Sequence, residues 1–224
     1  MAHTSIPVHP SPDMNTLNTC VACPRLAGFL CEVRLQHPAY HARPVAPFGD
    51  PRARLLIVGL APGMHGANRT GRPFTGDHAG ILLYQTLHRF GFANRAESLA
   101  ADDGLELLDC RITNAVKCLP PQNKPEPAEI STCNRFLSDE LQDSPELRVI
   151  LALGGVAHKA VLLANGLKQS ALAFAHGARH VLDNGQVLID SYHCSRYNTQ
   201  TRRLTSESFA EVFTTVRAEL ERPA

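Results

Sequence analysis

Between Gly59 and Asp77 the chain reads GLAPGMHGANRTGRPFTGD, which sets an amide (Asn68), two cations (Arg69, Arg72), an aromatic face (Phe74) and a carboxylate (Asp77) among glycines and prolines. Gly59, Pro62 and Gly63 forbid a simple helical continuation, and Gly66, Gly71, Pro73 and Gly76 keep the backbone open, so its amides can approach a ligand closely. This composition reads as an active-site loop. Sulfur offers a second chemistry. Cys20-x2-Cys23 supplies a two-thiolate chelate that Cys118 and Cys133 could complete to four, a soft donor set that suits either zinc or an iron–sulfur cluster. Seven cysteines, an odd number, argue against a disulfide framework. Of the others, Cys31 and Cys110 are expected to be buried small hydrophobes.

These residues need a scaffold. The apolar run Leu55–Val58 leads straight into the glycine-rich loop, and similar runs recur at Arg111–Val116, Val149–Leu153 and Val187–Asp190. Amphipathic segments at Gly80–Phe90, Pro127–Leu141 and Val156–Asn165 lie between them. A last helix is expected over Ser206–Glu221, with Phe209, Val212, Phe213, Val216 and Leu220 on one face. The alternation predicts an α/β fold: a three-layer α/β/α sandwich with a mostly parallel central sheet of about four strands. Ligands bind such sheets outside the carboxyl ends of the strands. The glycine-rich loop starts at that rim, as do TNAVKCLPPQNKP (Thr113 to Pro125) and SYHCSRYNTQTRRLT (Ser191 to Thr205).

The 224 residues suit one domain, expected over 20–224, behind a proline-rich mobile tail over 1–19. No apolar run approaches the roughly 18 residues of a membrane helix. No basic region precedes an apolar stretch at the N-terminus, so a cytoplasmic location is expected. The formal charge is only +1, yet Arg69, Arg72, Lys117, Lys124, Arg196, Arg202 and Arg203 all lie in or beside the three segments. A local basic patch on a near-neutral chain suits a DNA-reading face.

In sequence and in order, the three segments resemble the motifs of the iron–sulfur uracil-DNA glycosylases, specifically the family 5 or b-type branch. The resemblance runs from about Cys20 to the C-terminus. Leu60 stands where the related a-type enzymes carry a catalytic glutamate, which argues for the b-type. Gly63 is closer to the a-type pattern, and His193-Cys194-Ser195 replaces the usual His-Pro-Ser, a change expected to loosen that loop.

The resemblance implies a monofunctional glycosylase that flips uracil out of DNA and hydrolyses its N-glycosidic bond, with hypoxanthine or other deaminated bases as further substrates. It selects a 4Fe-4S cluster on Cys20, Cys23, Cys118 and Cys133, whose expected task is to order the proline-rich loop between the last two. Catalytic roles fall to Asp77, which would orient water or stabilise a cationic sugar and also cap the next helix, and to His193, whose N–H would stabilise the departing base. Gly59, Ala61, Phe74 and Asn114 are the expected base-binding residues, with Phe74 stacking and Asn114 reading a pyrimidine edge. Contacts to DNA are expected from Arg69, Arg72, Ser195, Arg196, Tyr197, Arg202 and Arg203, with Arg196-Tyr197-Asn198 a candidate wedge. Lys117 is read as a phosphate contact and His65 as a weaker substrate or phosphate contact. No protein partner is predicted, and a monomer is expected. The competing reading is a non-catalytic iron–sulfur or zinc nucleic-acid-binding module, which would have no need of His193 and Asp77.

Overall fold

The computed structural model describes residues 14–223. Among them one six-stranded sheet is formed by β1 (Phe48–Gly49), β2 (Leu55–Gly59), β3 (Cys110–Asn114), β4 (Val149–Leu153), β5 (Arg179–Val181) and β6 (Val187–Ser191), in the order β1-β3-β2-β4-β6-β5. The inner four strands run parallel, and the edges β1 and β5 pair antiparallel. The expected four strands are this parallel core. The two edges are too short to show an alternating pattern in sequence, so the sheet is larger than anticipated.

The helices are α1 (Met14–Asn18), α2 (Pro24–Gln36), α3 (Ala67–Thr70), α4 (His78–Arg89), α5 (Pro127–Gln142), α6 (Gly155–Ala164), α7 (Arg196–Gln200) and α8 (Ser206–Glu221). Every residue of β2, β4 and β6 is buried, as strands covered on both faces must be. Leu55 and Ile57 pack with Leu83 and Leu87 of α4 and Phe209 and Phe213 of α8. Their alternates Leu56 and Val58 pack with Leu137 of α5 and Ala157 and Val161 of α6. The period of two in β2 thus holds both outer layers. No helix among the described residues is long and apolar enough to cross a membrane.

Two expectations change. Residues 14–18 of the supposed tail form α1, and Leu17 is buried with Leu26, Leu30 and Val33 of α2 and Phe136 of α5; residues 1–13 lie outside the described residues. Cys31 is exposed on α2, whereas Cys110 is buried as expected. Cys194 is also fully buried, so the loop that lacks proline is anchored through its sulfur-bearing side chain instead.

After β2 the chain adds β3 on one side and then β4 on the other, which puts the topological switch point at the carboxyl end of β2. The Gly59–Asp77 loop begins there.

Candidate active site

The loop is built by hydrogen bonds and one strained turn. Pairing continues past the strand ends, with Ala115 N–H donating to Gly59 O at 2.9 Å and Val116 N–H to Leu60 O at 3.0 Å. This brings the end of β3, and Asn114 with it, against the loop. Phe74 has φ of +53°, a left-handed conformation that is rare for a bulky residue. It is held there by neighbours: Tyr84 Oη donates to Pro73 O at 2.8 Å, and Gly76 N–H donates to Ser98 O at 2.9 Å. Gly80 allows the turn to close, because a Cβ there would stand 1.9 Å from Phe74 O.

A cavity of about 410 Å³ opens where these parts meet, lined by Leu60, Ala61, Gly63, Phe74, Asp77, Asn114 and His193 together with residues of the surrounding loops. That volume falls in the range of small-molecule sites. The Phe74 and His193 rings stack with centroids 5.8 Å apart and 29° between planes. Gly59 is the hub: a Cβ on it would lie 2.5 Å from Asn114 Oδ1 and 2.6 Å from Phe74 Cζ. Only glycine lets both side chains occupy the cavity wall.

Asp77 caps α4, accepting from Gly80 N–H at 2.8 Å through Oδ1. Its other oxygen faces two glycines: Gly63 gives it room, and a Cβ on Gly66 would come within 2.6 Å of it. Burial pushes the Asp77 carboxyl above its ordinary pKa, against the opposing pull of the Gly80 and Ala79 amides. Burial alone pushes His193 down to about 4, so its imidazole is neutral at physiological pH. Asn198 Nδ2 donates to His193 O at 2.8 Å and Ser195 caps α7, which fixes the loop that presents the ring.

These residues coincide with more than motif resemblance. A model of the uracil DNA glycosylase superfamily matches residues 46–217. This chain belongs to the uracil DNA glycosylase superfamily. It is 50% identical over 204 residues to a type-5 uracil-DNA glycosylase of Thermus thermophilus, covering 89% of this chain and 93% of that protein. It is 42% identical over 203 residues to the type-5 uracil-DNA glycosylase of Pyrobaculum aerophilum, covering 89% and 88%. Similarity to a type-4 uracil-DNA glycosylase of Sulfurisphaera tokodaii is lower, 32% over 170 residues, covering 73% and 70%. The ordering agrees with Leu60 at the position where the a-type has glutamate.

Within this superfamily member, the sequence-predicted DNA residues divide. Arg196 lines the cavity, Tyr197 stands 70% exposed beside it on α7, and Ser195 lies at the rim. Wedge residues 196–198 are therefore helical. Arg69 is exposed in an adjoining groove of about 880 Å³, which His65 shares. Arg202 and Arg203 are exposed, with the Arg203 guanidinium 4.2 Å over the Tyr192 ring.

Arg72 is a correction. It is 4% exposed, and its guanidinium bonds Thr75 Oγ1 at 2.9 Å, Ser98 Oγ at 2.7 Å and Asp103 Oδ2 at 2.7 Å. It also donates to Ala101 O at 3.2 Å and staples the loop from within. Burial works against the Asp103 charge, but Arg72 and three backbone amides hold that carboxyl far below the usual range. Arg72→Ala should cost about 3–5 kcal/mol of stability by stranding Asp103, read as a lowered unfolding midpoint. A variant with unchanged melting and weakened DNA binding would restore the phosphate-contact reading.

Lys117 is a second correction. It is 1% exposed and pairs with Glu140 at 2.5 Å and with Thr113 Oγ1, so it braces β3 against α5. Two cavity residues went unforeseen. His78 follows Asp77 and bonds Thr199 Oγ1 at 3.0 Å, linking α4 to α7. Asn123 lines both the cavity and the groove from a left-handed φ of +56°, which asparagine tolerates better than most residues. The segment PPQN carried that signal.

Cys20, Cys23, Cys118 and Cys133 line one small cavity with Leu17, Leu26, Pro44 and Phe136. Polar N–H groups already face it: Lys117 N–H points to Cys133 Sγ at 3.3 Å and Arg135 Nη2 to Cys20 Sγ at 3.5 Å.

Proposed function

We propose that the chain is a monofunctional uracil-DNA glycosylase of the type-5 kind: it takes uracil, and with it hypoxanthine or other deaminated bases, out of DNA by hydrolysing the N-glycosidic bond. The observation that carries the reading is the single cavity into which three strand ends deliver Phe74, Asn114, His193 and Asp77. A base flipped into it would meet the Phe74 ring and the Asn114 amide, which can both donate and accept. As the C1′–N bond breaks, the base departs with the electron pair, and the neutral His193 N–H donates to its carbonyl oxygen. Water attacks C1′, and Asp77 accepts the water proton. An imidazole that stays neutral suits this task, because it can donate without bringing a charge that must be dehydrated. Arg196, Tyr197, Arg69, Arg202 and Arg203 would hold the duplex around the cavity mouth.

The four cysteines would hold a 4Fe-4S cluster, a group that here supplies cross-linking of α1–α2, the β3 loop and α5 rather than reaction chemistry. The meeting of the four cysteines in one small cavity supports this. Cys118→Ser should abolish the brown colour, lose iron and lower the unfolding midpoint. A colourless variant with wild-type melting and activity would contradict a structural cluster.

Gly59→Ala should retain the overall fold yet displace Phe74 and Asn114, with an expected loss of about 10²-fold in excision rate. Undiminished excision would show that the positions of those two side chains do not matter. For the reaction class itself, the test is product analysis on a uracil-containing duplex. Free uracil and an alkali-labile intact strand are expected, with no adduct trapped by borohydride; a trapped adduct would demand a lysine nucleophile instead of water.

A further inference from the structure

Away from the cavity, where α6 covers the sheet, lies a second group of chemically capable residues. His158 of α6, His180 of β5 and Asp190 of β6 each bring one ligand atom within 4.8 Å of the others. Sheet register brings the two strand residues together. His180 pairs with Leu188, so it stands on the same face as Asp190 and diagonal to it, toward α6. Asp190 is fully buried, His158 is 1% exposed, and neither belongs to the site described above.

The hydrogen bonding of this group is incomplete. His158 Nε2 lies 3.0 Å from Leu172 O, and a carbonyl can only accept, so Nε2 carries the ring proton. In the neutral ring Nδ1 is then a bare lone pair, yet it faces Asp190 Oδ1 at 2.8 Å. Two acceptors in such contact need a cation or a proton between them. The second pair repeats the demand: His180 Nε2 stands 3.4 Å from Asp190 Oδ2, and both atoms are buried without a hydrogen-bond partner. A proton bridge to a charged group spans about 2.7–2.9 Å, the spacing of His158 Nδ1 and Asp190 Oδ1 without an ion, and the His180–Asp190 pair is wider than that. Two donors of one tetrahedral ion with bonds of 2.0–2.1 Å stand roughly 3.3 Å apart, close to what is found. An N–H donated from the far ring nitrogen to a backbone carbonyl is also how a metal-binding histidine is commonly oriented.

We propose that His158 Nδ1, His180 Nε2 and Asp190 form a site for one divalent first-row transition metal ion, zinc by donor chemistry. The ion would join α6, the β5 edge and β6, with Asp190 three residues before His193 on the same chain. It is a structural ion, held by residues that do not line the cavity.

The test is zinc uptake by the intact, cluster-containing protein. After loading with zinc and removal of excess, about one equivalent per chain is expected to remain, and its zinc K-edge absorption should show nitrogen and oxygen neighbours at about 2.0–2.1 Å. His180→Gln, at a partly exposed edge position that folding tolerates well, should weaken zinc binding by at least about 100-fold and remove that equivalent. Retention of no zinc by the wild type would overturn the proposal in favour of a proton-sharing His–Asp–His network. A sulfur shell near 2.3 Å would place the zinc in the cysteine site and overturn it equally. So would a His180→Gln protein that keeps its zinc.

Discussion

Asp77→Asn is expected to slow single-turnover uracil excision by about 10²–10⁴-fold, the usual contribution of a positioned base, without loss of stability. The two halves have one cause. Asparagine caps a helix as well as aspartate, so the bond to Gly80 N–H survives. What goes is a carboxylate whose burial raises its pKa. A group with a raised folded pKa binds its proton more tightly when folded, so the stability it contributes is present below the unfolded pKa and is lost as pH rises through the folded one. The wild type bears this cost at neutral pH and the asparagine variant does not, so the variant should melt at an equal or higher temperature. The rate has the opposite slope: it should climb with pH through the raised carboxylate pKa, because the ionised form accepts the proton. That limb should vanish in the variant. An Asp77→Asn protein as fast as wild type would remove Asp77 from the chemistry.

His193→Ala should cost about 10²–10³-fold in rate, or about 2.7–4 kcal/mol, the scale of losing one preorganised donor to a developing anion. Duplex binding should persist, since the basic residues on α7 and beyond remain. The pH profile carries the sharper information. With His193 pushed down to about 4, the imidazole does not titrate between pH 5 and 8, and no histidine limb belongs to it there. A limb near pH 6.5 in the wild type, lost in His193→Ala, would mean that an imidazolium does the work and that the neutral ring is the wrong description.

Much of this was legible in the chain because parallel strands advertise themselves. Leu55–Val58 and Val149–Leu153 are continuous apolar runs, and their ends had to share one rim, so the glycine-rich loop, Asn114 and His193 followed. Cap chemistry was legible too, since Asp77 precedes an amphipathic segment. What stayed hidden depended on contacts between distant segments. An arginine in a glycine-rich loop looks the same whether it meets phosphate or Asp103, and only the fold of residues 98–103 over the loop decides for Arg72. Lys117 misled for the same reason, with its partner Glu140 supplied by α5. Helix α2 was missed although Leu26, Leu30 and Val33 have helical spacing, because much of its remaining surface is exposed and mixed. The His158–His180–Asp190 group has no local motif at all; sheet register and the packing of α6 assemble it.

The most direct test is single-turnover incubation of the anaerobically purified brown protein with labelled duplexes carrying one uracil, one hypoxanthine or one thymine. Abasic sites at uracil, with thymine untouched, are the expected result, and the hypoxanthine duplex reports how wide the Ala61–Gly63 wall leaves the pocket. Tight binding to all three duplexes with no abasic site in any would contradict the account and leave a nucleic-acid-binding module in its place.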